Sequence, residues 1–265
     1  GGASGGDGAI ATGGGGGGRG GGGGGKHSIL DHAASHLLTV VTGDEICQRR
    51  ADLVESPATR LAFKDFYREF RAKEKTSFEA AKQFALECFA VLPRKVHWRL
   101  YLEMADLAKR ESRFVEARRL YRTVTATQPF ASQGWLEYAK LEEECGALRK
   151  CARILRRGLA FCEYSESLLI KAVKHEERNG PGSRELLGRL RHTGIEKVWR
   201  TVLEGALMEA RAGRVDVARR VLAYLMTHVP WYGPIYYEAF RLEEKAEHFA
   251  TALAVAERGL REIPR

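Results

Sequence analysis

Four alanines in this chain stand at one distance from a following proline. Ala81, Ala117, Ala218 and Ala252 lie twelve positions before Pro93, Pro129, Pro230 and Pro264. Between each alanine and its proline the apolar residues recur at helical spacing, as in Ala117, Leu120, Tyr121 and Val124. Two further copies, without the proline, begin at Ala152 and Ser183. The anchors then fall at 81, 117, 152, 183, 218 and 252, at intervals of 36, 35, 31, 35 and 34. A period of this length marks stacked helical hairpins, each able to bury its apolar face only against its neighbours. The short interval covers Asn179-Gly180-Pro181-Gly182, a clipped turn.

Each unit has a first helix ahead of the anchored one, beginning near Phe63, Trp98, Trp135, Leu168, Trp199 and Ile235. The clearest hairpin runs from Trp135 to Leu159. Trp135, Tyr138, Ala139 and Glu142 share one face of its first helix, and Gly146 marks the turn. Ser56-Pro57 reads as a cap followed by proline at the first helical position, and Ser77 as the cap of the next helix. The expected fold is all-α, an α-solenoid of about six antiparallel helical hairpins over residues 57–265 that continues beyond them.

Residues 1–27 form an expected disordered tail rich in glycine, which brings no side chain to bury. The run from Gly20 to Gly25-Lys26 imitates the start of a phosphate-binding loop. His27 follows where Ser or Thr is needed, and no strand precedes it. Residues 28–56 are transitional and partly helical: Ser28 with Asp31 resembles a capping box, and Ile29, Leu30, Ala33, Leu37 and Leu38 form an apolar stripe. His32 and His36 have a metal-compatible spacing without a third ligand.

The recurrent side chains divide into framework and remainder. Trp98, Tyr101, Trp135 and Tyr138 are expected to fill the space between hairpins. A basic residue follows the small anchor in Lys82, Arg118, Arg153, Arg184 and Arg219, and acids recur at Glu142, Glu176, Glu209 and Glu243. These series predict an ion pair inside each hairpin: Glu142–Arg153, Glu176–Arg184 and Glu209–Arg219. Left over are Arg119, Arg122, Arg156, Arg157, Arg189, Arg191, Arg220 and Arg261, mostly on second helices. Stacked hairpins would line several of them up as a basic stripe, and the net charge of +9 favours a polyanion; solvated helix faces carry such patterns too.

Trp135-x-x-Tyr138-x-x-x-Glu142, Gly146 and Ala152-Arg153, echoed by Gly213 and Ala218-Arg219, resemble the half-a-TPR (HAT) repeat family, within the TPR-like superfamily. The resemblance covers residues 57–264, and an ordinary TPR array is the near alternative. It implies a right-handed solenoid whose frame is Trp98, Tyr101, Trp135, Tyr138, Glu142, Ala152, Arg153, Ala218 and Arg219. HAT proteins include crooked-neck-type splicing factors, a cleavage stimulation factor subunit, ribosome-biogenesis factors and organellar RNA-stability proteins. The implied role is a scaffold of RNA processing in the nucleus, or alternatively in a chloroplast or mitochondrion. Its partners would be proteins of a ribonucleoprotein complex, with direct RNA contact through Arg119, Arg122, Arg156, Arg157 and Arg220. The competing reading is a TPR-like adaptor with no link to RNA.

Nothing calls for chemistry. No nucleophile–base set or ligand cluster emerges, and His97, His175, His192, His228 and His248 are isolated, so neither catalysis, a cofactor, a metal nor a small-molecule substrate is expected. The odd set of five cysteines has no paired spacing and favours a reducing compartment. No apolar run approaches the roughly 18 residues of a membrane span, and no signal peptide is visible.

Overall fold

The computed structural model describes residues 43–263. The glycine-rich tail, the Ser28/Asp31 cap, the stripe from Ile29 to Leu38, His32, His36 and Pro264 lie outside the described residues. Thirteen α-helices, and no strand, occur among the described residues. Helix α1 (Gly43–Ala51) precedes six hairpins. These are α2 (Pro57–Glu74) with α3 (Phe78–Val91), α4 (His97–Arg110) with α5 (Phe114–Thr127), and α6 (Ser132–Glu144) with α7 (Leu148–Phe161). Then follow α8 (Glu166–Asn179) with α9 (Ser183–Arg189), α10 (Ile195–Arg211) with α11 (Val215–His228), and α12 (Gly233–Lys245) with α13 (Phe249–Glu262).

Local chemistry sets the helix ends. The Ser56 hydroxyl accepts from the Thr59 amide at 3.2 Å, and the Ser77 hydroxyl accepts from the Ala80 amide at 3.1 Å. Both serines thereby satisfy an orphan amide of the first turn. Four of the turns inside hairpins are closed alike by a residue at positive φ: Ser112 (57°), Gly146 (70°), Gly213 (76°) and Glu247 (60°). In each, the amide after that residue reaches back to a carbonyl five positions earlier, as from Ala147 to Glu142 and from Arg214 to Glu209. This is the left-handed helix stop that glycine fits best.

The small anchors pack as the sequence predicts at Ala81, Ala117, Ala218 and Ala252, all buried at the fourth residue of their helix. In α7 the fourth residue is Cys151, buried, whereas Ala152 is only half-buried. The third anchor is therefore shifted by one, and Arg153 leaves the framework position for an exposed one.

The ion pairs also correct the reading. Arg118 holds Glu142 with two bonds of 2.8 and 3.1 Å, Arg184 holds Glu209 at 3.1 and 3.4 Å, and Arg219 holds Glu243 at 2.6 and 2.9 Å. Each forked clamp joins the second helix of one hairpin to the first helix of the next. The expected Glu142–Arg153, Glu176–Arg184 and Glu209–Arg219 pairs inside a hairpin are replaced. The reason is geometric: the anchor faces its own partner helix, so the next residue along turns toward the neighbouring hairpin. Two junctions lack the clamp. Ala108 stands where the acid would face Lys82, which pairs instead with Glu116 at 2.5 Å. At the junction of α7 and α8, Ala152 and the buried His175 take the two positions, and Glu176 lies against the Gly180–Gly182 turn.

Aromatic side chains fill the remaining space. Tyr101 packs on Phe89 of the preceding hairpin with centroids 4.6 Å apart, and Tyr138 stacks on Tyr121 at 5.8 Å. Trp135 stacks on Phe161 at 5.9 Å and donates its indole N–H to the Pro129 carbonyl at 2.7 Å. Trp98 is buried.

Candidate interaction surface

The outer face is decided by what the framework consumes. Beyond the clamps, pairs about one repeat apart tie neighbouring hairpins: Lys109–Glu144, Arg110–Glu74, Arg113–Glu79 and Arg211–Glu177. The five arginines expected to meet a partner are all exposed on second helices. Arg119 and Arg122 lie on α5, Arg156 and Arg157 on α7, and Arg220 on α11. Counted from each helix start, Arg119, Arg153 and Arg220 are equivalent, as are Arg122 and Arg156. The shift that frees Arg153 thus extends the basic face on α5 and α7. Between α7 and α11 the face is interrupted by α9, where Glu185, paired with Arg189, directly follows the clamp arginine Arg184 as Arg220 follows Arg219. Arg122 also donates to the Tyr138 hydroxyl at 3.3 Å.

Helix α9 is seven residues long and passes directly into the 3₁₀ turn Leu190–His192. Its brevity opens a groove of about 970 Å³ between α7 and α9, floored by α8. The floor is built from Leu155, Leu159, Leu169, Ala172, Leu186 and Leu190, and the other lining residues mix Arg156, Arg189 and His192 with Glu163, Glu176 and Glu185. This volume lies in the upper part of the range of about 300–1,000 Å³ typical of ligand clefts. The interval of 31 residues marks a clipped turn at residues 179–182; the shortness of the helix after it and the groove beside it follow only from the structure.

Titratable groups inside the array are set by burial and by their pairs. Burial, aided by nearby Asp106, pushes Glu103 up to about 7. Burial also raises Asp106, although the Tyr121 hydroxyl donates to it. The Arg219 guanidinium holds Glu243 below the usual carboxylate range, and His248, from which no partner was expected, adds a contact at 3.2 Å. Burial raises the Cys151 and Cys162 thiols to about 11, which keeps them protonated and inert. Among the described residues, no group of His, Cys, Asp and Glu is placed to hold a metal, and no helix is long and apolar enough to cross a membrane.

Stacked helical hairpins, left-handed residues at four of the turns and arginine–glutamate clamps across three of the five junctions between hairpins define a TPR-like helical-repeat protein. The chain belongs to the family described as PRP6, TPR-like domain, whose model matches residues 91–265. It is 54% identical over 219 residues to a TPR-containing protein of Dictyostelium discoideum. That match takes in 82% of this chain but spans 17% of the relative's length. Among solved structures it is similar to a tetratricopeptide repeat protein from Parabacteroides merdae, with TM-score 0.49 and 16% identity, covering 77% of this chain and 81% of that one. It is also similar to the MamA protein, with TM-score 0.44 and 14% identity over 62% and 91% of the two chains.

Proposed function

We propose that this protein is a scaffold of RNA processing that binds other proteins of a nuclear ribonucleoprotein complex and contacts RNA through the arginines of α5 and α7. Its membership of the PRP6 TPR-like family supports a splicing-related helical-repeat scaffold. The observation that carries the RNA contact is the repetition of exposed arginines at equivalent places on consecutive second helices: Arg119 with Arg153, and Arg122 with Arg156. Guanidinium groups one hairpin apart present a row of planar donors suited to phosphate oxygens. Arg157 adjoins Arg156 on α7, while Arg220 lies beyond the interruption at α9.

Binding of single-stranded RNA, measured by fluorescence anisotropy across salt concentrations, tests this. Contacts to several phosphates make the logarithm of affinity fall linearly with the logarithm of salt, by roughly 0.7 for each phosphate neutralised. Replacing Arg119, Arg153, Arg156 and Arg157 by glutamine removes four such contacts and should flatten the slope by about 2.8, at roughly 0.7 for each. An unchanged slope would show that these arginines are a solvated face; a parent that binds no RNA would leave a protein–protein adaptor.

A further inference from the structure

Two of the clamps between hairpins obey one count. In α5 and α11 the arginine is the fifth residue of its helix, Arg118 or Arg219. It reaches the eleventh residue of the helix that follows, Glu142 in α6 or Glu243 in α12. The junction of α7 and α8 keeps half of this arrangement. The eleventh residue of α8 is again a glutamate, Glu176, but the fifth residue of α7 is Ala152. A methyl group stands where the guanidinium would cross. Both residues line the groove between α7 and α9.

Glu176 is half-buried and borders that space. His175 beside it holds the buried place, and the Glu176 carboxylate lies over Gly180 and Gly182. A Cβ on either glycine would lie 2.9 Å from its Oε2, so the two glycines leave the carboxylate its room. Among the described residues no group donates to this carboxylate, whereas Glu142 and Glu243 each accept two bonds from an arginine. The other charges of the groove leave acid in excess. Glu185 and Arg189 pair with each other at 2.6 Å. What remains is Glu163 and Glu176 against Arg156, two carboxylates to one guanidinium. A carboxylate partly withdrawn from water without a donor is stabilised by a cation that fits beside it. The walls suit a cation on an apolar stem: Leu159 and Leu186 are half-buried, and the exposed Tyr164 completes the lining.

We infer that the groove takes an arginine side chain from a basic segment of a partner protein, its guanidinium on Glu176 in place of the clamp this junction lacks. Arginine suits the place better than lysine because its planar fork matches both carboxylate oxygens, as in the clamps within the chain. Its stem lies against Leu159 and Leu186. This goes beyond the scaffold reading and does not rest on it, since the groove takes arginine whether or not Arg156 meets RNA.

The probe is N-acetylarginine methylamide, titrated into the full chain with labelled leucine methyl groups and followed by NMR. The expected result is a saturable shift of the Leu159 and Leu186 methyls. The citrulline analogue, of the same shape without the charge, should leave them in place. Glu176→Gln should weaken binding roughly tenfold or more, because hydrogen bonds between charged groups are lost. Shifts elsewhere only, no shifts, or equal shifts with citrulline would overturn the inference. Guanosine monophosphate moving the same methyls at lower concentration would overturn it too, and would give the groove to RNA. A second measurement supplies the missing arginine in cis. Ala152→Arg should pair with Glu176, abolish the probe's shifts and raise the urea midpoint, and adding Glu176→Gln should cancel the rise. Undiminished probe binding in Ala152→Arg, or a midpoint indifferent to Glu176→Gln in that background, would contradict the inference.

Discussion

At the scale of single residues, close approach and backbone sign decide more than side-chain identity. A Cβ added at Gly158 would lie 2.8 Å from the Trp135 Cβ and 2.9 Å from its Cγ, atoms next to the backbone that cannot swing aside. Gly158→Ala gains helix propensity of up to about 1 kcal/mol but must push α6 and α7 apart, at a cost of about 1–3 kcal/mol. We expect a net loss, read as a lower urea midpoint at unchanged m. Gly188 is the control. A Cβ there meets nothing within 4 Å, so Gly188→Ala should raise the midpoint. Glu247 holds φ at 60° in a turn where two of its three counterparts are glycine. Relieving a left-handed non-glycine residue is worth about 1 kcal/mol, so Glu247→Gly should stabilise the last hairpin in the same assay.

At the scale of helices, the clamps between hairpins carry the array. Glu142 is 1% exposed, and Arg118 is the group that compensates it. Arg118→Ala leaves that carboxylate buried and unpaired, which should cost about 3 kcal/mol, whereas Arg153→Ala, at an exposed position, should stay within about 0.5 kcal/mol. Equal effects in chemical denaturation would contradict the shifted position of Arg153. The sequence made the helices, caps and period legible because each follows from local rules: Ser56 and Ser77 cap by their hydroxyls, and Ala81 and Ala117 recur on a buried stripe. It did not make the pairing legible. Glu142 and Arg118 belong to different hairpins, and spacing alone cannot distinguish a partner one helix ahead from one behind. Ala152 fits the small-residue pattern by type, yet Cys151 holds the buried position, because a buried thiol serves as well as a methyl group where two helices approach. Arg119, Arg122, Arg156, Arg157 and Arg220 could be picked out by subtraction, but the interruption at α9 required the helix lengths.

At the scale of the whole molecule, stability is a sum over neighbouring hairpins, and its pH dependence follows from two opposed sets of carboxylates. Glu177, Glu209 and Glu243 are held below the usual carboxylate range: hydrogen bonds from their arginines outweigh burial, which for Glu209 is the largest single influence. Their contribution is present above the unfolded value near about 4.3 and is lost as pH falls through the depressed folded values. Glu103 acts in the opposite sense. Its folded value of about 7 means that the native state keeps a proton the unfolded chain releases, so stability falls as pH rises from about 4.5 towards 7. At full strength this would approach about 3 kcal/mol; partial exposure to solvent reduces it to about 1–2 kcal/mol. The array should therefore be most stable near pH 5, weaken gradually towards pH 8 and fail steeply in acid. Glu103→Gln removes only the alkaline limb, because glutamine occupies the same buried site without ionising. Urea midpoints of parent and variant at pH 4, 5, 6, 7 and 8 should diverge above pH 5 and descend together below it. A variant that weakened between pH 5 and 8 as much as the parent would place the titrating group elsewhere.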